Sequence, residues 1–106
     1  MITLHLFYTG TGGAAEAFAR EMTSSGAADE IRREPGNLRY EYFFPMDDRE
    51  TVLLIDSWES QAAIDAHHAS PMMAKIAALR EKYDLHMRVE RFVSEDAPSD
   101  ERFLRK

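Results

Sequence analysis

Two adjacent histidines, His67 and His68, stand in the segment WESQAAIDAHHASPMM, which spans residues 58–73. Histidine is the side chain whose charge changes near neutral pH, so it is suited to act as a general base. Successive residues of a helix point about 100° apart, and these two therefore cannot share a metal ion as an i, i+4 pair could. We expect no metal site, and at most one of the two histidines should face a pocket.

The direction of each histidine follows from the apolar residue that precedes them. Ile64 is the only large aliphatic residue in this part of the segment and marks its buried side. His67, three residues later, should lie on that side, and His68 should lie further round toward its edge. A structural role, in which His67 caps or bridges the break before Pro71, is an alternative to a chemical one.

Other motifs that carry chemistry are missing or do not fit. The chain has no cysteine, which excludes disulfides, thiolate catalysis and cysteine-ligated metal. Residues 10–15, GTGGAA, match the pattern G-x-G-x-x-A, but a dinucleotide site needs a larger βαβ sheet and an acidic residue about 20 positions further on. The chain is too short for that sheet, so we predict a turn between a strand and a helix. We expect no cofactor.

The composition fits one compact domain that binds neither nucleic acid nor a membrane. The chain has 106 residues, 44% of them apolar, and a formal net charge of −6. Neutralising nucleic-acid phosphates needs clustered Lys and Arg, which argues against that partner. No apolar run approaches the roughly 20 residues that span a bilayer, and the N-terminus MITLHLFYTG lacks the pattern of a signal peptide. We expect a cytoplasmic protein.

Alternating apolar and polar residues predict four strands, at residues 2–8, 37–45, 51–58 and 84–93. With helices between the first and second strands and between the third and fourth, the order is βαββαβ. This order is typical of the split ferredoxin-like α+β fold with a four-stranded antiparallel sheet. We assign residues 1–93 to this domain and residues 94–106 to a polar C-terminal tail.

The helical segments contain internal breaks. Residues 13–33 have helical spacing, and Ser24-Ser25-Gly26 predicts a kink or two helical pieces there. Ser60 is a candidate N-cap for a helix that runs to about His68. Pro71 can begin another helical segment, because proline is tolerated in the first turn.

Helices can cover only one face of such a sheet, and the other face would still carry large apolar side chains. A monomer would leave that apolar surface exposed to water. We therefore expect a homodimer in which two sheets pack against each other. The apolar residues predicted on the uncovered face are Phe7, Phe43, Leu53, Ile55 and Phe92.

Three stretches together resemble the antibiotic biosynthesis monooxygenase (ABM) family: EPGNLRYEYF, TVLLIDSWES and AIDAHHASPM. The resemblance covers residues 1–93 and implies a dimeric α+β barrel. It also implies a cofactor-independent monooxygenase acting with dioxygen on a small quinol- or anthrone-like aromatic substrate. The haem-degrading members are not implied, because this chain has no Asn in residues 1–8 and has Ala77 near their histidine position.

The family position and the helix facing together make His67 the candidate catalytic base or substrate anchor. An aromatic-sized pocket is expected between the helices and the sheet, although each residue assigned to it has an alternative role in the core. Two other functions stay open: a non-catalytic ligand-binding or stress-associated dimer, and an isomerase of a small carbonyl compound. The candidate pocket residues are Trp58, Tyr40, Tyr42, Phe44 and Met72.

Overall fold

The computed structural model describes residues 1–95 and 102–105. Within these residues the chain forms four strands and four helices, and most of the predicted tail lies outside the described part. The elements are β1 (Ile2–Thr9), α1 (Ala14–Ser24), α2 (Ala27–Arg32), β2 (Asn37–Phe43), β3 (Thr51–Trp58), α3 (Gln61–His68), α4 (Met72–Lys82) and β4 (His86–Val93).

The strands form one antiparallel sheet in the order β2-β3-β1-β4. This arrangement confirms the predicted ferredoxin-like α+β fold. Each of the two helical connections consists of two helices. Gly26, with φ of 84°, separates α1 from α2, and Ser60 caps α3 by accepting a hydrogen bond from the Ala63 N–H at 3.2 Å.

The core lies between the helices and one face of the sheet. Val52, Leu54 and Trp58 alternate along β3 and are almost completely buried on this face. They pack with Phe18 and Ile31, which are also fully buried in the helices. Burying side chains of this size contributes about 1.5–3 kcal/mol each, so this layer holds the helices on the sheet.

The alternation along β4 predicts that Met87, Val89 and Val93 point toward the helices. The register places Met87, Val89 and Val93 on the helix side, opposite residues of β1 that also face the helices. However, 38%, 51% and 70% of their respective surfaces are exposed. The predicted facing is therefore confirmed, but these side chains stay exposed because β4 is an edge strand and the helices pack chiefly over its neighbours.

The opposite face of the sheet is free of helices, as predicted. Cross-strand pairing aligns Phe7 with Leu53 and places Ile55 opposite His5 on the same face. Phe43 and Phe92 are 37% and 46% exposed. The five apolar residues predicted on this face therefore form one surface that residues 1–95 and 102–105 leave without a covering helix.

A β-bulge at the start of β2 corrects one detail of the predicted alternation. Asn37 pairs with Trp58 and Arg39 pairs with Ser57, so Leu38 is the extra residue. Alternation alone would place Leu38 on the same face as Tyr40, but its side chain is 50% exposed. Tyr40, by contrast, is 2% exposed and faces the helices.

Candidate functional site

A cavity of about 330 Å³ lies between α3 and α4 on one side and the sheet on the other. It occupies the space that the helices leave above β1 and β4. Apolar side chains form most of its wall, and a small number of ionisable groups project among them. Its lining residues are Leu4, Leu6, Tyr8, Tyr40, Leu54, Asp56, Gln61, Ile64, His67, His68, Met73, Ile76, Arg80, Met87, Val89 and Arg91.

His67 lies in the cavity wall and is 6% exposed, whereas His68 is exposed at the cavity edge. Ile64, one turn earlier, is 2% exposed, which confirms the predicted facing of α3. Nδ1 of His67 lies 2.6 Å from Oε2 of Glu34. In the tautomer that has its proton on Nδ1, His67 donates to the Glu34 carboxylate, and Nε2 is left as an acceptor.

Two contacts fix the His67 ring. On one face it stacks on the indole of Trp58, with ring centroids 4.8 Å apart and an interplanar angle of 28°. At the edge of the ring, Glu34 contacts Nδ1. Glu34 lies within reach of α3 because the turn that contains Gly36 packs against that helix. A Cβ added to Gly36 would lie 2.6 Å from Cβ of Ala63, which shows how closely the turn approaches the helix. The His67 ring is therefore held in one orientation by the chain itself.

Asp56 is the buried carboxyl group of the cavity. It lies on β3 opposite Leu4 of β1 and Tyr40 of β2 and is 5% exposed. Within the described residues, its Oδ1 has no hydrogen-bond partner. Burial raises the pKa of Asp56 to about 6. The indole N–H of Trp58 opposes this shift without meeting hydrogen-bond geometry, and the charge of Glu34 adds to it.

The two tyrosines of the cavity are hydrogen-bonding groups rather than bases. Burial raises the pKa of Tyr8 to about 12 and raises that of Tyr40 well above its usual value. Both phenols therefore stay protonated at neutral pH. The hydroxyl of Tyr40 lies 3.3 Å from that of Tyr42. Arg80 and Arg91 line the cavity from α4 and β4 and add positive charge to its wall.

The structure brings only some of the predicted site residues together. Tyr40 and His67 line the cavity, and Trp58 lies fully buried behind His67. Tyr42 and Phe44 instead line a separate open groove of about 800 Å³ beside α1.

In α4 the predicted pocket residue and the residue that lines the cavity are neighbours in the chain. Met72 is buried at the start of α4 and does not line the cavity, whereas Met73 does.

The sequence analysis did not identify Asp56, which lines the cavity, or Glu34, which contacts His67 from behind the wall. The sequence does point to Asp56, because it is a charged residue in a strand that is apolar on both faces, TVLLIDSW. Charged residues are rarely buried without a partner, so this position could have been singled out. Glu34 carries no such signal, since its contact with His67 joins residues 33 positions apart. Only the packing of the turn against α3 reveals that pair.

Among residues 1–95 and 102–105, no three His, Asp or Glu side chains come together in an arrangement that could hold a metal ion. In the same part of the chain, no helix has the length and apolar character needed to cross a bilayer.

The fold and cavity define an α+β protein with a ligand-sized space between its helices and its sheet. The model of the family described as antibiotic biosynthesis monooxygenase matches residues 1–79. The chain therefore belongs to the antibiotic biosynthesis monooxygenase family. No curated protein has significant sequence similarity to it.

Solved structures share this fold at low sequence identity. A candidate antibiotic biosynthesis monooxygenase from Deinococcus radiodurans has a TM-score of 0.78 and 16% identity, over 92% of this chain and 95% of the other. SnoaB, a cofactor-independent oxygenase from Streptomyces nogalater, has a TM-score of 0.73 and 18% identity, over 91% and 94%. PA3566 from Pseudomonas aeruginosa has a TM-score of 0.73 and 24% identity, over 90% and 94%. At these identities, the similarity shows a shared fold.

Proposed function

We propose that this protein is a cofactor-independent monooxygenase that acts with dioxygen on a small quinol- or anthrone-like aromatic substrate. The observation that carries the proposal is the His67 ring in the cavity wall, with Nδ1 held by Glu34 at 2.6 Å. Membership in the monooxygenase family and the shared fold of SnoaB, a cofactor-independent oxygenase, support it.

The chemistry requires little from the protein beyond a base and an apolar pocket. Nε2 of His67 accepts the acidic proton of the substrate, from the hydroxyl of a quinol or the methylene carbon of an anthrone, and the Glu34 carboxylate stabilises the imidazolium that forms. The resulting anion is electron-rich and passes one electron to dioxygen. The two radicals combine to form a carbon–oxygen bond, the imidazolium returns its proton to the peroxide anion, and the hydroperoxide loses water to leave a carbonyl group. Both reducing equivalents come from the substrate, so no external reductant is needed.

The cavity suits an aromatic ligand. Its volume of about 330 Å³ lies at the lower end of the range of about 300–1,000 Å³ typical of small-molecule sites. Apolar residues such as Leu4, Leu6 and Ile64 can contact a ring, and excluding water strengthens the electrostatic contacts around the anion. We further propose that the protein works in the cytoplasm.

Dioxygen uptake tests this function directly. With no cofactor added, the purified protein should consume dioxygen with at least one member of a panel of hydroquinones and anthrones, with one oxygen atom appearing in the product and the other in water. Labelling with heavy dioxygen measures this distribution. If the panel members bind without any uptake above the uncatalysed rate, the oxygenase proposal is excluded in favour of a non-catalytic binding protein.

We also propose that the active form is a homodimer. The supporting observation is the uncovered apolar face, on which Phe43 and Phe92 are 37% and 46% exposed. Covering such a face with that of a second copy removes apolar surface from water at about 25 cal/mol per Å². Arg39 and Arg88 lie over Phe43 and Phe7 on the same face, at 5.5 and 3.9 Å from the ring centroids.

Light scattering should give a mass near twice the 12.2 kDa of the chain. Ile55→Asp, which places a charge in the middle of the uncovered face, should shift the protein toward monomer because the carboxylate cannot be desolvated without a partner. Asp47→Asn, at an exposed position outside the sheet, is the control and should leave the mass unchanged. A wild-type monomer at micromolar concentration would rule out the dimer.

A further inference from the structure

The carboxyl group of Asp56 is a buried polar group of the cavity whose Oδ1 makes no hydrogen bond within the described residues. Asp56 projects from the middle of β3 on the helix-facing side, where its neighbours Leu54 and Trp58 belong to the core. Its carboxyl group is buried, and Oδ1 has no hydrogen-bond partner within residues 1–95 and 102–105. Nearly all buried polar groups in proteins are paired, because an unpaired one destabilises the folded state. The indole N–H of Trp58 is close enough to lower the pKa of Asp56 but meets no hydrogen-bond geometry, so Oδ1 remains free to bond a group of a ligand in the cavity.

The surroundings of Asp56 indicate where such a group would lie. Asp56 is part of the sheet that forms one wall of the cavity, and His67 belongs to the helix that forms the opposite wall. Between these walls the lining is largely apolar, with Leu4 and Leu6 from β1 beside Asp56. A ligand that fills this space displaces the water around Asp56 and must supply the hydrogen-bond partner itself.

We propose that Asp56 is a substrate-binding residue that selects aromatic ligands with a second oxygen substituent in addition to the hydroxyl that His67 deprotonates. Within the proposed quinol- and anthrone-like substrates, this contact favours dihydroxylated aromatics and hydroxyaryl ketones, because they carry the second oxygen. This inference rests on the proposed function for the role of His67, but not for the contact at Asp56. Monohydroxylated aromatics of the same size should be discriminated against.

The carboxyl group suits both ends of the proposed reaction. Ionised, it accepts a hydrogen bond from a ring hydroxyl, as a quinol offers. Protonated, it donates one to a carbonyl oxygen, as a quinone product or a hydroxyaryl ketone offers. Its pKa of about 6 keeps both forms within reach near neutral pH. A site built to bond a ligand hydroxyl rejects the analogue that lacks it, because the buried group is then left unpaired.

Binding measured without turnover tests this contact separately from the oxygenase activity. Naphthol and the isomeric dihydroxynaphthalenes are titrated under nitrogen into wild-type protein and into Asp56→Leu, with calorimetric detection. The wild type should bind the best dihydroxy isomer about tenfold or more tightly than naphthol, as expected for a hydrogen bond to a charged group. In Asp56→Leu this preference should fall below about threefold, while naphthol binds as well as before or better.

Two controls exclude a general effect of the substitution. Asp47→Asn removes an exposed carboxylate far from the cavity and should keep the wild-type preference. A melting temperature of Asp56→Leu at or above that of the wild type shows that the variant is folded. Equal loss of affinity for naphthol and for the dihydroxy isomers would overturn the proposal, because the effect of the substitution would then not depend on the second oxygen of the ligand. Absence of binding of every dihydroxy isomer to the wild type would overturn it as well.

The two proposals can fail independently. Dioxygen uptake with anthrones but an unchanged ligand preference in Asp56→Leu would retain the oxygenase and discard the contact. Loss of the preference in Asp56→Leu without any dioxygen uptake would retain the contact and discard the oxygenase.

Discussion

His67→Ala is expected to lower the turnover of an oxidisable quinol about a hundredfold or more, which is within the usual range for a general acid–base group. The physical reason is the loss of the imidazole that Glu34 orients, whose Nδ1 lies 2.6 Å from the Glu34 carboxylate. Turnover is measured as initial dioxygen consumption per folded molecule. Because the same substitution leaves the Glu34 carboxylate without its partner, the stability of each variant is measured in parallel.

Three matched variants separate chemistry from structure. His67→Gln retains an amide that can donate to Glu34 and should keep most of the stability while losing activity as His67→Ala does. His68→Ala removes the exposed neighbour and should change the rate only a few-fold. Added imidazole should restore part of the activity of His67→Ala. A lowered melting temperature with a nearly normal rate per folded molecule would instead make His67 a structural residue.

Glu34→Gln tests the orienting contact. The amide keeps the shape of the side chain but cannot stabilise an imidazolium by charge, so we expect a smaller loss of turnover than for His67→Ala, roughly tenfold. The fall should appear in kcat rather than in KM if the ring is still placed for binding. An unchanged kcat would show that Glu34 only anchors the turn before β2.

Asp56→Asn is expected to stabilise the protein at about pH 7.5 by roughly 1–2 kcal/mol. Burial raises the pKa of this carboxyl from its usual 3.8 to about 6. An upward shift of about two units costs about 3 kcal/mol of stability once the group is ionised, and the unpaired amide of Asn offsets part of the gain. Urea unfolding of both proteins measures the difference.

The stability difference between Asp56→Asn and the wild type should depend on pH. Between about pH 4 and 6 the folded state binds the proton of Asp56 more tightly than the unfolded state does, so this group's contribution to stability falls as the pH rises through that window. The advantage of Asp56→Asn should therefore be full above pH 6 and vanish near pH 4. The same charged and ionisable groups surround position 56 in both proteins, so the difference curve reports on the removal of the Asp56 carboxyl; these groups are Tyr8, Tyr40, His67, Arg80 and Arg91 in the cavity wall, and Glu34 behind His67.

Asp47→Asn is the control for this prediction as well, since an exposed substitution should stay within about 0.5 kcal/mol at every pH. Destabilisation by Asp56→Asn at neutral pH would mean that the carboxylate makes a favourable contact in the folded protein. Such a result would contradict the unpaired state of Oδ1.

The candidate site could be predicted in part because helix facing is a local property. His67 follows Ile64 by three residues, so a single apolar neighbour was enough to place it on the buried side. The same reasoning could not place Tyr42 and Phe44. Alternation puts them on the same face as Tyr40, but β2 is an edge strand, and they lie beside α1 rather than in the cavity.

The sequence by itself determined the order of the elements, the break between α1 and α2, and the two-faced apolar character of the sheet. These features depend on periodicity and on single breakers such as Gly26, which act through the local backbone. Tertiary structure alone decided the contact of Glu34 with His67, the burial of Asp56 without a partner, and the uncovered position of β4. Each of these depends on how far one element reaches over another, a distance between residues remote in the chain that local sequence patterns do not encode.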